Sequence, residues 1–454
     1  MTIDVSWVLT LLVLCLAGLA YAWCQHRQPY AQRTAIRATV QRLLKPRTPD
    51  DCPACRQQAV IPTKHAPARP LVRPWRELKS RRGAPKRIDT QGFACPIPTC
   101  RYFQITDAQV HALVGDGTHG KTERIQTFRC QACRTTFSAR RNTPLYRLKT
   151  SVQRVGEVLS ALAEGLDVAA AERIFGHRHA MITTWVARAG DQSALLHDCW
   201  FRNLRLPHLQ LDELRTRLRR RAHVLWLWVA VDPFTKLIPV LHLGARTQAS
   251  AHAVVHDLRQ RLAPDCLPVF TSDGLNLYFY ALTAHFGWWV KAAGQRTRHW
   301  QVAPGLIYGQ VKKCYRRRKL VCVNQLMRCG TRAALTSALQ GLGLSGRLNT
   351  AFVERVNLII RQSIAVLVRR TWSTAQVTPQ LHAHIQWWQA YYHFSRPHAS
   401  LRLVLAQPMD RGGKRLPLRY RQQTPAMAAG LTSRRWTVCD LLAVPLLRDP
   451  VGAA

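Results

Sequence analysis

Acidic residues are scarce in this sequence. It contains 24 Asp and Glu against 66 Lys and Arg in 454 residues, which gives a formal net charge of +42 at pH 7. This excess excludes an ordinary near-neutral enzyme and indicates a polyanionic partner. Nucleic acid is favoured, because Lys and Arg that neutralise phosphates release bound counterions. A codon bias toward Arg is the alternative, but it does not explain the missing acids, and charge alone does not separate DNA from RNA.

One acid is isolated from all others. No Asp or Glu occurs between Asp273 and Glu354, and Glu354 lies in "LNTAFVERVNLIIRQ", residues 348–362, together with Arg355 and Arg361. A helix that lies along DNA gains from arginines and loses from an acid, so an acid kept there is expected to bind a metal ion. A glutamate on an ordinary surface helix is the alternative.

A disulfide framework is also missing. The 14 cysteines are scattered along a basic chain, which favours metal ligands over disulfides. "CPIPTC" and "CQAC" each place two thiols on a short turn, and two such turns brought together by strands form the all-cysteine site of a zinc ribbon. Two unrelated pairs of structural cysteines are the alternative. The predicted ligands of a structural Zn2+ are Cys95, Cys100, Cys130 and Cys133.

The first 90 residues lead to two predictions that stay open. Residues 5–23 carry no charge and are long enough to cross a bilayer, and the basic residues after them favour a cytoplasmic location for the rest. A membrane anchor, a buried or partner-bound helix, and a start codon placed too far upstream all fit, whereas the missing basic stretch before them argues against secretion. Residues 25–90 are predicted to be a basic Pro/Arg-rich linker. In it, Cys52 and Cys55 either bind a metal, with or without His65, or remain unligated.

Residues 152–190 have the apolar spacing of helices. Asp167 is suited to cap a second helix and Gly176 to form the turn before a third. The pattern predicts a helix-turn-helix whose third helix, from about residue 179 to 189, enters a DNA groove. A three-helix bundle that binds nothing is the alternative. The candidate DNA contacts are His177, His179, Thr183 and Arg188.

From Leu206 onward, apolar runs rich in β-branched residues alternate with helical segments. The predicted order is βββαβαβα, with residues 288–293 as the last strand. Asp212 and Asp273 each end a strand that is expected near the sheet centre, where strand ends open into a site. The acids assigned instead to a helix surface, a turn and a loop are Asp257, Asp232 and Asp265.

Asp212, Asp273 and Glu354 form the predicted catalytic set. Three carboxylates can hold two divalent cations about 4 Å apart for an in-line phosphoryl transfer, and Mg2+ suits oxygen ligands. The choice of Asp212 is open, because Glu213 follows it directly. Neighbouring strand residues face opposite sides, so only one of the two is expected to point into the site.

These features resemble the DDE recombinases with an RNase H-like core, and more narrowly the bacterial insertion-sequence transposases of the InsA and InsB type. The motifs that carry the resemblance lie within residues 91–407: "CPIPTC…FRCQACRTTFSARR", the helix-turn-helix, "LDEL", "TSDG" and "NTAFVERVNLIIRQ". The resemblance implies a multidomain α/β chain in which an RNase H-like mixed sheet flanked by helices is preceded by a zinc ribbon and a helix-turn-helix. It also implies two Mg2+ or Mn2+ ions per active site, held by the three acids.

The resemblance further implies a DNA transposase that binds insertion-sequence ends, cuts them and joins the freed 3'-hydroxyl to target DNA. Such enzymes act as homo-oligomers on paired ends, here expected in the bacterial cytoplasm at the nucleoid, with a membrane-anchored form if residues 5–23 insert. Many carry a basic residue seven positions after the glutamate, which is Arg361 in this sequence and is expected to contact the DNA end. A catalytically inactive DNA-binding regulator derived from a transposase is the second hypothesis.

The expected modules follow from these motifs. They are a hydrophobic helix at 1–24, the linker at 25–90, a zinc ribbon at 91–145, a helix-turn-helix at 146–200, a catalytic domain at 201–407 and a C-terminal tail at 408–454.

The interval from Asp273 to Glu354 departs from the short spacing common in the integrase branch of the family. It predicts an inserted basic segment at about residues 295–347, which includes "GLIYGQVKKCYRRRKLVCV". Because its basic residues alternate with apolar ones, this cluster is expected to bind the backbone of transposon-end DNA. A solvated run of charge is the alternative. The cluster comprises Lys312, Lys313, Arg316, Arg317, Arg318 and Lys319.

Overall fold

A computed structural model describes residues 72–78, 88–121, 123–218, 224–291, 294, 296–317, 319–368, 377–409 and 418–444. The predictions for residues 5–23, for Cys52, Cys55 and His65, and for Arg318 lie outside these ranges. Across the described ranges, every helix is too short or too polar to cross a bilayer.

A small antiparallel sheet forms the first described module. It follows a short helix, and its three strands lie side by side in chain order. Aromatic and aliphatic side chains pack with the cysteines in a cluster of their own, which includes Tyr102 and Phe128. The Trp75 ring meets Tyr102 edge-on, with centroids 5.8 Å apart, so the short helix is tied to this cluster. The elements are α1 (Trp75–Leu78), β1 (Leu113–His119), β2 (Ile125–Cys130) and β3 (Thr136–Ser138).

Three helices follow: α2 (Val152–Ala163), α3 (Val168–Phe175) and α4 (His179–Trp200). The predicted helix ends are confirmed. The Asp167 carboxylate accepts a hydrogen bond of 2.6 Å from the Ala170 N–H, and Gly176 has a left-handed φ of 71°. Helix α4 is longer than predicted, because its second half is also buried on one side.

The rest of the chain is built on a six-stranded mixed sheet flanked by helices. In chain order the elements are β4 (His208–Arg217), β5 (Val224–Val231), β6 (Val240–Gly244), α5 (Gln248–Arg261), β7 (Val269–Asp273), α6 (Leu277–His285), β8 (Gly287–Val290), β9 (His299–Val302), β10 (Ile307–Arg316), β11 (Lys319–Cys329), α7 (Arg332–Gly341), α8 (Ala351–Ser363) and α9 (Thr378–Ala390). The strand order in the sheet is β11-β10-β7-β4-β5-β6. Strands β4, β7 and β10 are parallel, whereas β5, β6 and β11 run antiparallel to their neighbours.

The strand that continues the central sheet differs from the prediction. Residues 288–293 were expected to supply it, but β8 pairs with β9 in a separate two-stranded sheet. Strand β10 joins β7 instead, and it comes from the basic segment that was expected to be an insertion. The first half of β10 is apolar and buried up to Val311, whereas Lys312 and Lys313 are exposed. The run of charge in its second half hid the strand pattern of the first.

The C-terminal segment closes against the helices. A π-helical turn at Tyr391–Ser395 extends α9, and the elements after it are β12 (Leu403–Met409), β13 (Leu418–Arg421), α10 (Pro425–Ala428) and α11 (Val438–Ala443). Apolar side chains of the π-helical turn, α10 and α11 belong to the same core as those of α2 and the central sheet.

Helices α4 and α9 approach each other closely within this core. A Cβ atom on Gly190 would lie 2.3 Å from the Ala383 carbonyl oxygen. On α9, Trp387 and Trp388 are fully buried, and the Trp387 indole donates a 2.9 Å hydrogen bond to the Leu159 carbonyl of α2. The three-helix segment and the central sheet therefore share one hydrophobic core.

We expect Gly190→Ala to lower the free energy of unfolding by about 1–3 kcal/mol, because the added methyl group forces α4 and α9 apart. Gly341→Ala is the matched control. Its Cβ would meet no atom within 4 Å, and alanine is the better helix former, so stability should stay level or rise by about 0.5–1 kcal/mol. Urea denaturation followed by circular dichroism measures both. Equal midpoints for the two variants would contradict the close packing.

Candidate metal centres

The four predicted zinc ligands meet at one point. The Sγ atoms of Cys95 and Cys133 are 3.5 Å apart, those of Cys100 and Cys130 are 3.8 Å apart, and all four lie within 4.8 Å of one another. Zn–S bonds of about 2.3 Å place tetrahedral sulfurs about 3.8 Å apart. This cysteine cluster could therefore hold a structural metal such as zinc.

Hydrogen bonds prepare one thiol of the cluster to ionise. A hydrogen bond from Cys95 and the backbone N–H groups of Cys133 and Ala132 outweigh burial and lower the pKa of Cys130 to about 5. The pKa of Cys95 is raised, chiefly through the same hydrogen bond, and burial raises the pKa of Cys100 to about 11. Metal binding favours the thiolate at every position, because a coordinating thiol is deprotonated.

An acidic cluster lies at one end of the central sheet. Strands β4 and β7 run parallel and adjacent, with Leu211 paired to Ser272, so the next residue on each strand brings its carboxylate to the same place. Carboxylate oxygens of Asp212, Glu213 and Asp273 lie within 4.8 Å of one another. The two aspartates are thus brought together, but only Asp273 ends its strand as predicted. Asp212 lies in the middle of β4, which continues to Arg217 because its second half pairs with β5.

Glu354 reaches the same cavity from α8. The cavity has a volume of about 650 Å³, and Asp212, Asp273 and Glu354 are all among its lining residues. Glu354 lies in the first turn of the helix, where it accepts a 2.7 Å hydrogen bond from the Thr350 hydroxyl and forms an ion pair with Lys313. It is exposed, and it is not part of the closer group formed by the other three acids.

A glutamine inside β4 fixes the position of α8. The Gln210 side chain is buried, accepts a 3.0 Å hydrogen bond from the Val353 N–H and donates one of 2.9 Å to the Asn349 carbonyl. One helical turn after Glu354, the Asn357 amide donates a 2.8 Å hydrogen bond to Asp212. Helix α8 is therefore held against the strand that carries Asp212.

Glu213 takes part in the acidic cluster, although only one of the two adjacent acids was expected to face it. Its side chain is 2% exposed and forms an ion pair with Arg246, which donates to it from Nε at 2.9 Å. The Tyr278 hydroxyl lies 3.4 Å from its other oxygen. The strand pattern places Asp212 and Glu213 on opposite faces, but Asp273 lies near enough to the strand for both carboxylates to reach it.

Burial and repulsion disfavour the charged forms of these acids. Burial first, and then the charge of Asp273, raises the pKa of Asp212 to about 7 and that of Glu213 to about 7. Burial likewise raises the pKa of Asp273. At Glu354, burial raises the pKa, but the hydrogen bonds from Lys313 and Thr350 together outweigh it, so the pKa is lowered.

The described residues of the basic cluster begin at this cavity and extend beyond it along the β10–β11 hairpin. Lys312 and Lys313 line the cavity, whereas Arg316, Arg317 and Lys319 are exposed at the tip of the β10–β11 hairpin. Arg361, on the last turn of α8, donates a 3.3 Å hydrogen bond to the Arg215 carbonyl of β4. The predicted DNA contacts around Glu354 therefore come from two elements that flank the acids.

The predicted contacts on α4 do not all face outward. His179 and Arg188 are exposed, and Arg188 donates a 3.0 Å hydrogen bond to the Tyr146 carbonyl. Thr183 is half-buried, and its hydroxyl donates to the His179 carbonyl at 2.9 Å. The His177 ring instead packs edge-on against Trp185, with centroids 4.9 Å apart, so it supports the turn before α4.

Two polar residues of the site were not found from the sequence. Gln210 is the one amide within the apolar run "LPHLQLDEL", and that position is a usable signal for a buried hydrogen-bonding role. Asn357 follows Glu354 by one helical turn, and this spacing on the same helix face is the sequence signal for a second polar residue at the site.

No protein-family model matches the chain, and the curated proteins include no significant match to it. The function is therefore inferred from the residues and the geometry of the two candidate centres.

We expect the purified protein to contain zinc in the cysteine cluster and Cys130→Ser to lose it, because three thiols leave a tetrahedral site incomplete. Elemental analysis by mass spectrometry after dialysis measures the metal content. Cys199→Ser, an exposed position on α4 outside the cluster, should keep its zinc. Equal zinc content in the two variants would contradict the assignment.

In the metal-free protein, the contribution of the acidic cluster to stability is expected to fall as the pH rises. The pKa values of about 7 for Asp212 and Glu213 exceed their ordinary values of 3.8 and 4.5, so each of these two carboxyls binds more protons in the folded chain than in the unfolded chain between these limits. Deprotonation of these two groups therefore favours unfolding. Asp212→Asn should be the more stable protein near pH 8, and the difference from wild type should vanish near pH 4. Thermal unfolding of both proteins between pH 4 and pH 8 in the presence of a chelator measures the difference in stability. A wild type that becomes more stable relative to Asp212→Asn as the pH rises would contradict the prediction.

Proposed function

We propose that this chain is a DNA transposase of the DDE type, which cuts insertion-sequence ends and joins the freed 3'-hydroxyl to target DNA. The observation that carries the proposal is that Asp212, Asp273 and Glu354 line one cavity beside Lys312 and Lys313. In a chain with a net charge of +42, acids that would repel DNA are concentrated where cations can neutralise them.

The sheet supports an RNase H-like core. Three antiparallel strands, β4 to β6, are followed by two that lie parallel to β4, and helices α5 and α6 connect them. The acids lie where the last residue of β7, Asp273, comes beside the middle of β4, and Glu354 reaches them from α8. This arrangement supports the expected RNase H-like core.

The donor set suits divalent magnesium or manganese. The side chains that converge are carboxylates, and hard oxygen donors are the ligands of Mg2+ and Mn2+. Asp212, Asp273 and Glu354 would hold two such ions, with Glu213 beside them. When bound, two metal ions activate water or a 3'-hydroxyl and stabilise the leaving oxygen in phosphoryl transfer.

The remaining residues of the site would position the acids and the DNA. Asn357 holds the Asp212 carboxylate by its 2.8 Å hydrogen bond, and Thr350 orients Glu354. Lys313 forms an ion pair with Glu354 and lines the cavity, where it could also bind a DNA phosphate. The exposed cations of the hairpin tip and of α4 would bind the DNA backbone farther from the cut. The resemblance implies that the enzyme does so as a homo-oligomer on paired DNA ends.

We expect Asp273→Asn and Glu354→Gln to lower strand cleavage and strand transfer at least about 100-fold, because each removes a metal-binding carboxylate. DNA binding should be kept or tightened, since a negative charge is removed. The substrate is DNA from both flanks of the coding sequence, where the proposal expects inverted repeats, with Mg2+ or Mn2+. Gel assays of cut and joined products, beside fluorescence anisotropy of the same DNA, separate chemistry from binding.

Asp257→Asn is the matched control. Asp257 lies on α5 and forms a 2.8 Å ion pair with Arg261, so its loss changes the net charge by the same amount without touching the cavity. Activity should stay within about twofold of wild type. If wild-type protein binds these DNA ends but neither cuts nor joins them with either metal, the proposed enzyme activity is overturned. The second hypothesis, an inactive DNA-binding regulator, would then be favoured.

A further inference from the structure

Two exposed tryptophans lie on the β8–β9 ribbon. Trp288 is 49% exposed and Trp289 is 62% exposed, which is unusual for the largest apolar side chain. As neighbours on a strand, they point to opposite faces of the ribbon. Within the described residues, this ribbon pairs with no other strand.

The ribbon is anchored to the body of the protein on one side. Trp289 is paired with Trp300 across the two strands, and their rings meet edge-on with centroids 5.5 Å apart. The Trp300 indole donates a 2.8 Å hydrogen bond to the Thr283 carbonyl of α6. The exposed indoles are therefore held on a supported element, which lowers the entropy lost when a ligand stacks on them.

The charge of the ribbon fits a polyanion. Lys291, Arg296 and Arg298 are exposed, and no Asp or Glu occurs anywhere in residues 274–353. Aromatic faces combined with cations and without acids form a stacking platform for unpaired bases beside an electrostatic track for the backbone. A protein interface also uses tryptophan and arginine, but a partner would have to accept this uncompensated positive charge.

We propose that the β8–β9 ribbon binds single-stranded nucleic acid by stacking unpaired bases on Trp288 and Trp289. The inference rests on the proposed function in taking DNA as the partner, since base pairs next to a cut strand end lose a stacking neighbour and open more easily. A duplex keeps its bases stacked on one another, so it offers the indoles little.

The ribbon is separate from the acidic cavity. Strand β9 leads into the start of β10, where Ile307 pairs with Val269, whereas Asp273, the last residue of β7, pairs with Val311 in the middle of β10. Four residues of strand span about 13 Å, so substitutions on the ribbon leave the cavity residues in place. The platform is thus an additional binding element and no part of the catalytic set.

The test compares single-stranded and duplex DNA by fluorescence anisotropy over a series of salt concentrations. The double variant Trp288→Ala with Trp289→Ala should bind a 20-nucleotide single strand about tenfold more weakly, with the same salt dependence as wild type. Its affinity for the duplex should change less than about twofold. Changing the same pair to Phe should restore most single-strand affinity, because a stacking surface is retained. Arg298→Ala should instead reduce the slope of log K against log salt by about 0.7.

Several outcomes would overturn the inference. These are unchanged single-strand binding by the alanine variant, an equal loss on both DNAs, or a variant that changes only the oligomeric state in light scattering. If the alanine variant fails to fold, a 5-bromouracil single strand photocrosslinked to wild-type protein decides the question by whether the adduct lies in residues 287–302. If the wild type cuts DNA but the tryptophan variants give one of these contrary results, the proposed role of the ribbon alone is overturned. If the wild type binds neither single-stranded nor duplex DNA, the proposed function is overturned as well.

Discussion

Repulsion among carboxylates at one end of the central sheet is the constraint to which the surrounding structure responds. Asp212, Glu213 and Asp273 lie within 4.8 Å of one another, and burial makes their charged forms unfavourable. Two cations offset part of this repulsion, since Arg246 pairs with Glu213 and Lys313 pairs with Glu354. In the proposed enzyme, divalent ions would provide the same neutralisation more completely.

That arrangement depends on contacts between segments far apart in the chain. Helix α8 carries Glu354, but its place is set by Gln210 of β4, which hydrogen-bonds to Val353 and Asn349 although it lies about 140 residues earlier in the chain. Lys313 is delivered by β10, which is in place because it pairs with β7. Loss of the β7–β10 pairing would therefore displace Lys313 from the acids.

Local patterns predicted the parts of the fold that local interactions determine. The caps at Asp167 and Gly176 followed from backbone chemistry, as did the turn at Asp232, whose carboxylate accepts from the Thr235 N–H at 2.8 Å. The ion pair of Asp257 with Arg261 followed from helical spacing. The strand at residues 307–316 was not predicted, because its exposed second half is charged and only its sheet neighbour makes it a strand. The participation of Glu213 was missed for the same kind of reason, since it depends on where Asp273 lies across the sheet.

Helix α4 links the predicted DNA-reading segment to the core that contains the central sheet. Its 22 residues span about 33 Å, with His179 exposed near its start and Leu196 buried near its end. The close approach of Gly190 to Ala383 joins the middle of α4 to α9. Buried side chains of α9 belong to the same hydrophobic core as those of the central sheet. A helix packed in this way cannot rotate independently of the sheet. In the proposed transposase, DNA read at the start of α4 would therefore be held at a fixed distance from the acids, so the position of the cut would be set by the shared core and not by a flexible linker between separate domains.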